Sequence, residues 1–498
     1  RLARRTRATG APPALVGLAL AAGSGGGSGD GGTGDGGASG GGDEVEVFTW
    51  WAAGSEKAGL DALVGVFEEQ HPDVEFINGA VAGGAGSAAK DLLQSRLQAQ
   101  DPPDTFQAHA GAELQDYIDA AQIEDVSSLY DEFGLTDVFP ADLVDRLKSD
   151  DGAIYSIPSN IHRANVVWAN PTVLEANGVD PAATYADLDA WMADLDKLQA
   201  AGVTPLSVAT TWTQVNLLET VLLADLGAEG YNGLWDGSTD WEGAEVTAAL
   251  EDFEKLMSYT NTDRDGLDWP EATQMVIDGN AAFNVMGDWA VAAFEEQGKT
   301  LGTDFTAFPV PGTDGVFDFL ADSFTLPVGA PHPDGAKAWL ETVGSLEGQV
   351  AFNKAKGSIP ARTDADPAEF SEYQQTAIES FGNDTIVSSL AHGAAAPVAT
   401  LNAISDATSK FPARGPSPPT TPSPPPPATA PGSHRPTAPP RVVGHVPTAR
   451  GSPASGTRPP GTPALPSAAS PAPHDREDPP CSSHCDEPAQ RCCCSPPR

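Results

Sequence analysis

Acids, amides, histidines and tryptophans collect in this chain just beyond short apolar runs. "VEVFTWWAAGSE" (45–56) passes from an alternating run into Trp50 and Trp51, then reaches Glu56. "DTFQAHA" (104–110) carries Gln107 and His109, and Asn160 and His162 follow Pro158. Trp212 sits in "TTWTQ" (210–214), Asp288 and Trp289 close "AAFNVMGDW" (281–289), and Asp322 lies in "LADSFTLP" (320–327). Successive side chains of a strand face opposite ways, so Trp50 and Trp51 cannot both enter one core. An indole offers apolar area and a π face, while a carboxylate or amide can bridge two neighbouring hydroxyls. Together these types suit a ring with one apolar C–H face and a hydroxylated edge, as in a sugar. A carboxylate pair such as Glu56 and Asp322 would also serve glycoside hydrolysis, where the separation sets the mechanism. Core packing is the ordinary role of an aromatic side chain. The shared position at strand ends is what marks these residues.

The flanking pattern supplies the elements that must hold them. Val45–Thr49 alternates as a strand. Ser55 is expected to cap a helix whose stripe, Leu60, Leu63, Val64 and Phe67, runs until Pro72. A strand over Val74–Ile77, a helix over about Ser87–Gln100 and a strand over 104–110 complete a β-α-β-α-β run. That alternation argues for an α/β fold with a parallel sheet covered by helices. In such sheets ligands bind outside the carboxyl ends of the strands. Further on, two extended runs surround Pro158, and Thr184 with Asp187 forms an acidic variant of a capping box. The helix it opens carries Leu188, Trp191, Met192, Leu195 and Leu198 as its core stripe. A strand follows at 204–209, then helices to about Tyr259 and again near 270–279. Short strands are expected within 281–289, "DFTAFPVPG" and "FTLPVGA", and two or three helices from 334 to about 410. This order implies two lobes, with the chain crossing between them more than once.

Composition bounds the function. The chain has 498 residues and a formal net charge of −42, from 27 Lys and Arg against 69 Asp and Glu. Such a surface repels phosphate backbones, so nucleic acid is not an expected partner. Arg1, Arg4, Arg5 and Arg7 precede a short apolar run, Ala14 to Ala22, in the order of a secretory signal over 1–22. Gly23 stands where a lipoprotein signal would place its lipidated Cys, which leaves lipid anchoring open. A Gly-rich tether fills 23–43. From 412 to 498 the chain is Pro-rich and cannot pack a core. We read this tail as out-of-frame translation of GC-rich DNA, with a wall-spanning Pro-rich segment as the alternative. A protein mass matching an intact reading frame would exclude the frameshift. All five cysteines, from Cys481 to Cys494, lie in that tail, at spacings that match no zinc module. No metal site or cofactor is therefore expected. Gly84-x-Gly86-x-x-Ala89 fits a relaxed dinucleotide fingerprint but lacks a strand directly before it.

The matching stretches taken together resemble one family. "FTWWAAGSE", "DPPDTFQAHAGAEL", "IPSNIHRANVVWAN", "AAFNVMGDWA", "LADSFTLP", "FNKAKGSIPAR" and "IVSSLAHGAAAP" run in order from about 45 to 405. They are similar to the extracellular solute-binding proteins of ABC sugar importers, most of all the glucose/mannose type. The resemblance implies a periplasmic-binding-protein type II fold, two α/β lobes joined by a hinge with the ligand cleft between them. It places lobe 1 at about 44–155 plus 310–360, and lobe 2 at about 156–309 plus 361–411. It makes Trp50 and Trp51 a stacking wall and Glu56 a hydroxyl acceptor, with Gln107 and His109 contacting sugar from the first lobe. Asp322, Lys356 in "KGSIPAR" and His392 in "SLAHGA" become further polar contacts. Trp269 in "GLDW" and Trp289 become cleft aromatics, joined by Asn160, His162, Trp212 and Asp288.

The expectation is a non-enzymatic, exported, monomeric receptor that binds a monosaccharide, glucose first, and docks on a membrane permease. A secreted glycosidase, which would turn over a chromogenic glycoside, is one rival. A cell-wall protein acting through its Pro-rich tail, which would bind no small sugar, is the other. The family's final helices, expected beyond Phe411, are replaced here by that tail.

Overall fold

The alternation that begins at Val45 builds a sheet whose strands come from distant parts of the chain. The computed structural model describes residues 44–82, 86–149 and 151–411. The signal-like segment, the tether, the Pro-rich tail with its cysteines, and the first glycine of the dinucleotide-like motif lie outside the described residues. In chain order the strands are β1 (Glu44–Phe48), β2 (Glu75–Asn78), β3 (Thr105–His109), β4 (Ser156–Pro158), β5 (His162–Arg163) and β6 (Val166–Ala169). They continue as β7 (Thr204–Ser207), β8 (Ala281–Val285), β9 (Thr306–Pro309), β10 (Val316–Leu320), β11 (Asp322–Thr325) and β12 (Thr385–Ser388).

Three sheets result, ordered β2-β1-β3-β11-β4, β7-β8-β6-β9 and β12-β10-β5. In the first, β1 is parallel to β2 and β3, whereas β11 returns antiparallel between β3 and β4. The chain leaves this sheet after Pro158 and enters the three-stranded sheet at His162. It comes back through Ala321 alone, which separates β10 from β11. Asn160 and Asp322 therefore sit at the two places where the backbone passes between sheets.

Packing follows these sheets. One buried cluster joins Val45, Phe67, Phe106, Trp339 and Phe352, and extends past the crossings to Trp168 and Phe294. A second joins Val167, Trp191, Leu222, Phe283 and Leu390. Helix Gly54–Gln70 buries Leu60, Leu63 and Phe67 as its spacing predicts, but Val64 is only half-buried and Val66 is buried as well. Its Ser55 is not a cap, however. Ala53 holds that position, and the Ser55 hydroxyl donates across to the Trp289 carbonyl at 3.3 Å. Helix Leu188–Ala200 buries all of its predicted stripe, but its cap is Asp187, which accepts the Ala190 N–H at 2.9 Å. Thr184 lies outside the helix, and the next residue, Tyr185, packs on Phe308 with ring centroids 5.9 Å apart. The region beyond 333 holds four helices among the described residues, Pro333–Gly344, Leu346–Lys356, Glu372–Asn383 and Val398–Thr408, rather than two or three. The pattern also missed β10 and β12. Long helix Thr211–Asp236 is kinked at Gly227, where φ is +66°.

Candidate functional site

The carboxyl end of β3 and the two crossings meet at one cleft. Its walls are Trp50, Glu56, His109, His162, Trp212, Trp289, Leu320, Asp322, Lys356 and His392, around a space of about 20 Å³. Trp50 follows β1, and His109 ends β3, its ring 4.9 Å from the Trp50 ring. Trp289 lies in the turn after β8, not in the strand, with its ring 5.2 Å from His392 and 6.4 Å from Trp212. The Lys356 ammonium sits 5.5 Å from the Trp289 ring. Trp212 is held by Asp268, which accepts its indole N–H at 3.3 Å and caps the following helix through the Trp269 N–H at 2.8 Å.

Asp322 is the hub. Gln107 donates to its Oδ1 at 2.7 Å and Asn160 to its Oδ2 at 2.8 Å. The Asp322 N–H returns a bond to Asn160 Oδ1 at 2.8 Å, which fixes the amide's orientation. Burial would raise this carboxyl, but His109, His162, Lys356 and the Asn160 amide together hold it below its ordinary value. Glu56 has the opposite environment. The residue keeps some exposed surface, yet its carboxyl lies deep among protein atoms. Burial lifts it to about 7, against the pull of Lys356 and aided by Asp322 and Asp268.

Each cleft histidine has its Nδ1 tied to a carboxylate, directly or through a serine. His109 Nδ1 lies 2.8 Å from Glu113, which Lys90 also meets at 2.7 Å. Burial would raise Glu113, but Lys90 and His109 lower it to about 2. His162 Nδ1 meets Asp288, and its Nε2 lies 3.2 Å from the Asn160 amide nitrogen. Because that nitrogen is a donor, Nε2 accepts and the proton sits on Nδ1, facing Asp288. Burial pushes Asp288 well above the carboxylate range and the His162 ring well below its own. The ring N–H and the Arg163 backbone N–H, at 3.0 Å, are the donors that offset this burial. His392 Nδ1 reaches Ser389 at 2.8 Å. The Trp289 indole nitrogen and His392 Nε2 are buried with no protein partner among the described residues. Buried polar groups of this kind are the ones a ligand hydroxyl would satisfy.

The predicted residues thus divide. Trp50, Glu56, His109, His162, Trp212, Trp289, Asp322, Lys356 and His392 line the cleft. Trp51 does not. It is 1 % exposed and packs on Phe352 and Phe324, with ring centroids 4.6 and 5.4 Å away. The stacking wall is therefore Trp50 without Trp51, the chain turning between them beyond the end of β1, where the Ala52 N–H donates to the Trp50 carbonyl at 2.8 Å. Gln107, Asn160 and Asp288 spend their polar atoms on neighbours behind the wall, and Trp269 buttresses Trp289 edge-on at 6.4 Å. Leu320, Lys90, Glu113, Asp268, Ser389 and Glu219 were not singled out. The spacing of His109 to Glu113 and of Ser389 to His392 was the available signal. Among the described residues no group of His, Cys, Asp and Glu is placed to hold a metal ion. Nor is any helix among them long and apolar enough to cross a membrane.

The chain is 35% identical over 372 residues to an uncharacterized ABC transporter extracellular-binding protein of Pyrococcus horikoshii, covering 74% of this chain and 83% of that one. It is 30% identical to the xylose/arabinose-binding protein XacG of Haloferax volcanii, over 72% of this chain and 79% of that one. Among solved structures, the bacterial solute receptor AcbH superposes with a TM-score of 0.65 at 18% identity, over 75% of this chain and 94% of that one. Maltose-bound MalE3 of T. maritima superposes with a TM-score of 0.61 at 16% identity, over 74% and 95%. These likenesses show the periplasmic-binding-protein fold. The model of the bacterial extracellular solute-binding proteins matches residues 18–350, and on that match and these relatives the chain belongs to that family.

Proposed function

We propose that the chain captures a monosaccharide, d-glucose first, in this cleft and delivers it to the permease of an ABC importer. It acts as a monomer without catalysis, at the outer face of the cytoplasmic membrane or in the periplasm. The observation that carries the reading is the cleft itself. Three indoles, Trp50, Trp212 and Trp289, stand around a space ringed by Asp322, Lys356, Glu56 and histidines. In this structure the enclosed space is small, about 20 Å³, so a sugar ring enters only as the walls part. The relatives' names, one for xylose and arabinose and one, GlcS of Saccharolobus solfataricus, for glucose, keep the choice among monosaccharides open to experiment. With the lobes divided at about 44–155 plus 310–360 and about 156–309 plus 361–411, a sugar touching both walls would favour the closed arrangement.

Calorimetric titration of the full chain with glucose, mannose, galactose, xylose and cellobiose tests this. One saturable one-site heat with a monosaccharide supports it. Heat with cellobiose alone, or with none from a folded chain, overturns it. A glycosidase reading has one observation behind it, the opposite displacement of Glu56 and Asp322. But Gln107 and Asn160 hold Asp322 through one bond to each oxygen, which leaves each a lone pair for a sugar hydroxyl, and aryl glycosides separate the two readings. No release of nitrophenol from aryl glycosides is expected.

A further inference from the structure

His392 reaches its carboxylate through a serine. Ser389 Oγ lies 2.8 Å from His392 Nδ1 and 3.0 and 3.1 Å from the two oxygens of Glu219, on helix Thr211–Asp236. Glu219 Oε2 also accepts the Ala391 N–H at 2.8 Å. Asp318 of β10 lies against Glu219, fully buried, and neither of its oxygens finds a donor among the described residues. Two carboxyls in contact away from water cannot both ionise, so the pair shares one proton. Burial raises Glu219 to about 7, but the Ala391 N–H donates to it and favours its charge, so above that value the proton is left on Asp318. Burial and the neighbouring Glu219 push Asp318 well above the carboxylate range, in the same sense.

Counting protons then fixes the ring. The serine hydroxyl has one hydrogen, and a charged Glu219 takes it. Ser389 Oγ therefore offers only lone pairs to His392 Nδ1, which must carry the hydrogen of a neutral imidazole. Burial holds that ring well below its ordinary value, so it has no second proton. Its Nε2 is buried on the cleft wall with no protein partner among the described residues.

We propose that Glu219, linked through Ser389, is a positioning residue that locks His392 as the Nδ1–H tautomer. Nε2 then presents a lone pair to the cleft and accepts only from a ligand hydroxyl turned toward it as donor. The consequence for sugar rests on the function proposed above, whereas the tautomer itself does not.

The test is 15N NMR of the histidine-labelled full chain at about pH 8 without sugar, with His392 assigned by the signals lost in His392→Gln. The expected spectrum has a protonated Nδ1 and a bare Nε2. Glu219→Gln brings an amide that can donate to Ser389, frees the serine hydrogen for Nδ1 and is expected to flip the ring to Nε2–H. Ser389→Ala removes the link and is expected to give a mixture. A wild-type Nε2–H ring, or an Nδ1–H ring unchanged in both variants, overturns the proposal. If Glu219→Gln does not fold, Ser389→Ala decides alone, because an unshifted Nδ1–H ring would sink the relay. Where d-glucose binds, Glu219→Gln should weaken it roughly tenfold, the scale of one mismatched hydrogen bond. Absence of glucose binding beside the expected tautomer would count against the sugar reading alone.

Discussion

Trp50 and Trp51 are neighbours in sequence and belong to different parts of the molecule. Trp50 closes the cleft beside His109, and Trp51 fills the core against Phe352. Trp50→Ala is expected to cost about 1–3 kcal/mol of sugar affinity by calorimetry, the scale of a lost aromatic anchor. Trp51→Ala should instead cost ~3–5 kcal/mol of stability in urea, as a large cavity does. Equal effects on affinity would contradict the split. The Glu56 carboxyl makes a separate prediction. Its folded value, about 7, lies above its ordinary 4.5. The stability it contributes is whole below about 4.5 and is lost as pH rises through about 7. The melting temperature of Glu56→Gln should therefore fall less than that of wild type between about pH 5 and 8. Parallel curves would refute the assignment. Residue types at strand ends announced the cleft, whereas the parting of the two indoles is set beyond the end of β1, where strand alternation no longer applies. What no local pattern could give is whether an amide such as Gln107 or Asn160 faces the ligand or a neighbour. That depends on Asp322, which lies 215 positions from Gln107 and 162 from Asn160.

Elements with strong periodicity were legible from the chain. Helix Leu188–Ala200 buries the whole stripe its spacing requires, and helix Gly54–Gln70 buries all of its own but Val64. Their first residues were not, because several polar residues compete for a cap and tertiary contacts decide. Asp187→Ala should cost about 1 kcal/mol in urea unfolding while Thr184→Ala changes little. The reverse ranking would restore the threonine as cap. Strand β10 escaped the pattern because it carries Asp318 in its middle, a buried acid whose partner is Glu219. The turn after β8 is equally local in sequence and demanding in space. A methyl group on Gly287 would come within 2.0 Å of the Trp289 ring. Gly287→Ala is therefore expected to abolish sugar heat while circular dichroism stays near wild type. Retained binding would mean that the indole has room to move.

At the scale of the whole molecule, the cleft groups are hidden: His162 is 1 % exposed, Asp322 3 % and His392 4 %. A ligand can reach them only when the walls part, so opening is a step in binding. Small-angle scattering should show a radius of gyration that falls as glucose is added, and no change would argue against a hinge. The route of the backbone sets another constraint. β3 pairs on one side with β1 and on the other with β11, more than two hundred residues later by the separation of Gln107 from Asp322. During synthesis, the first three strands must wait with an open edge until residues 322–325 leave the ribosome. Contacts so far apart in the chain close slowly. A product truncated before β11 would keep that edge, the surface from which strands of other chains add and aggregates grow.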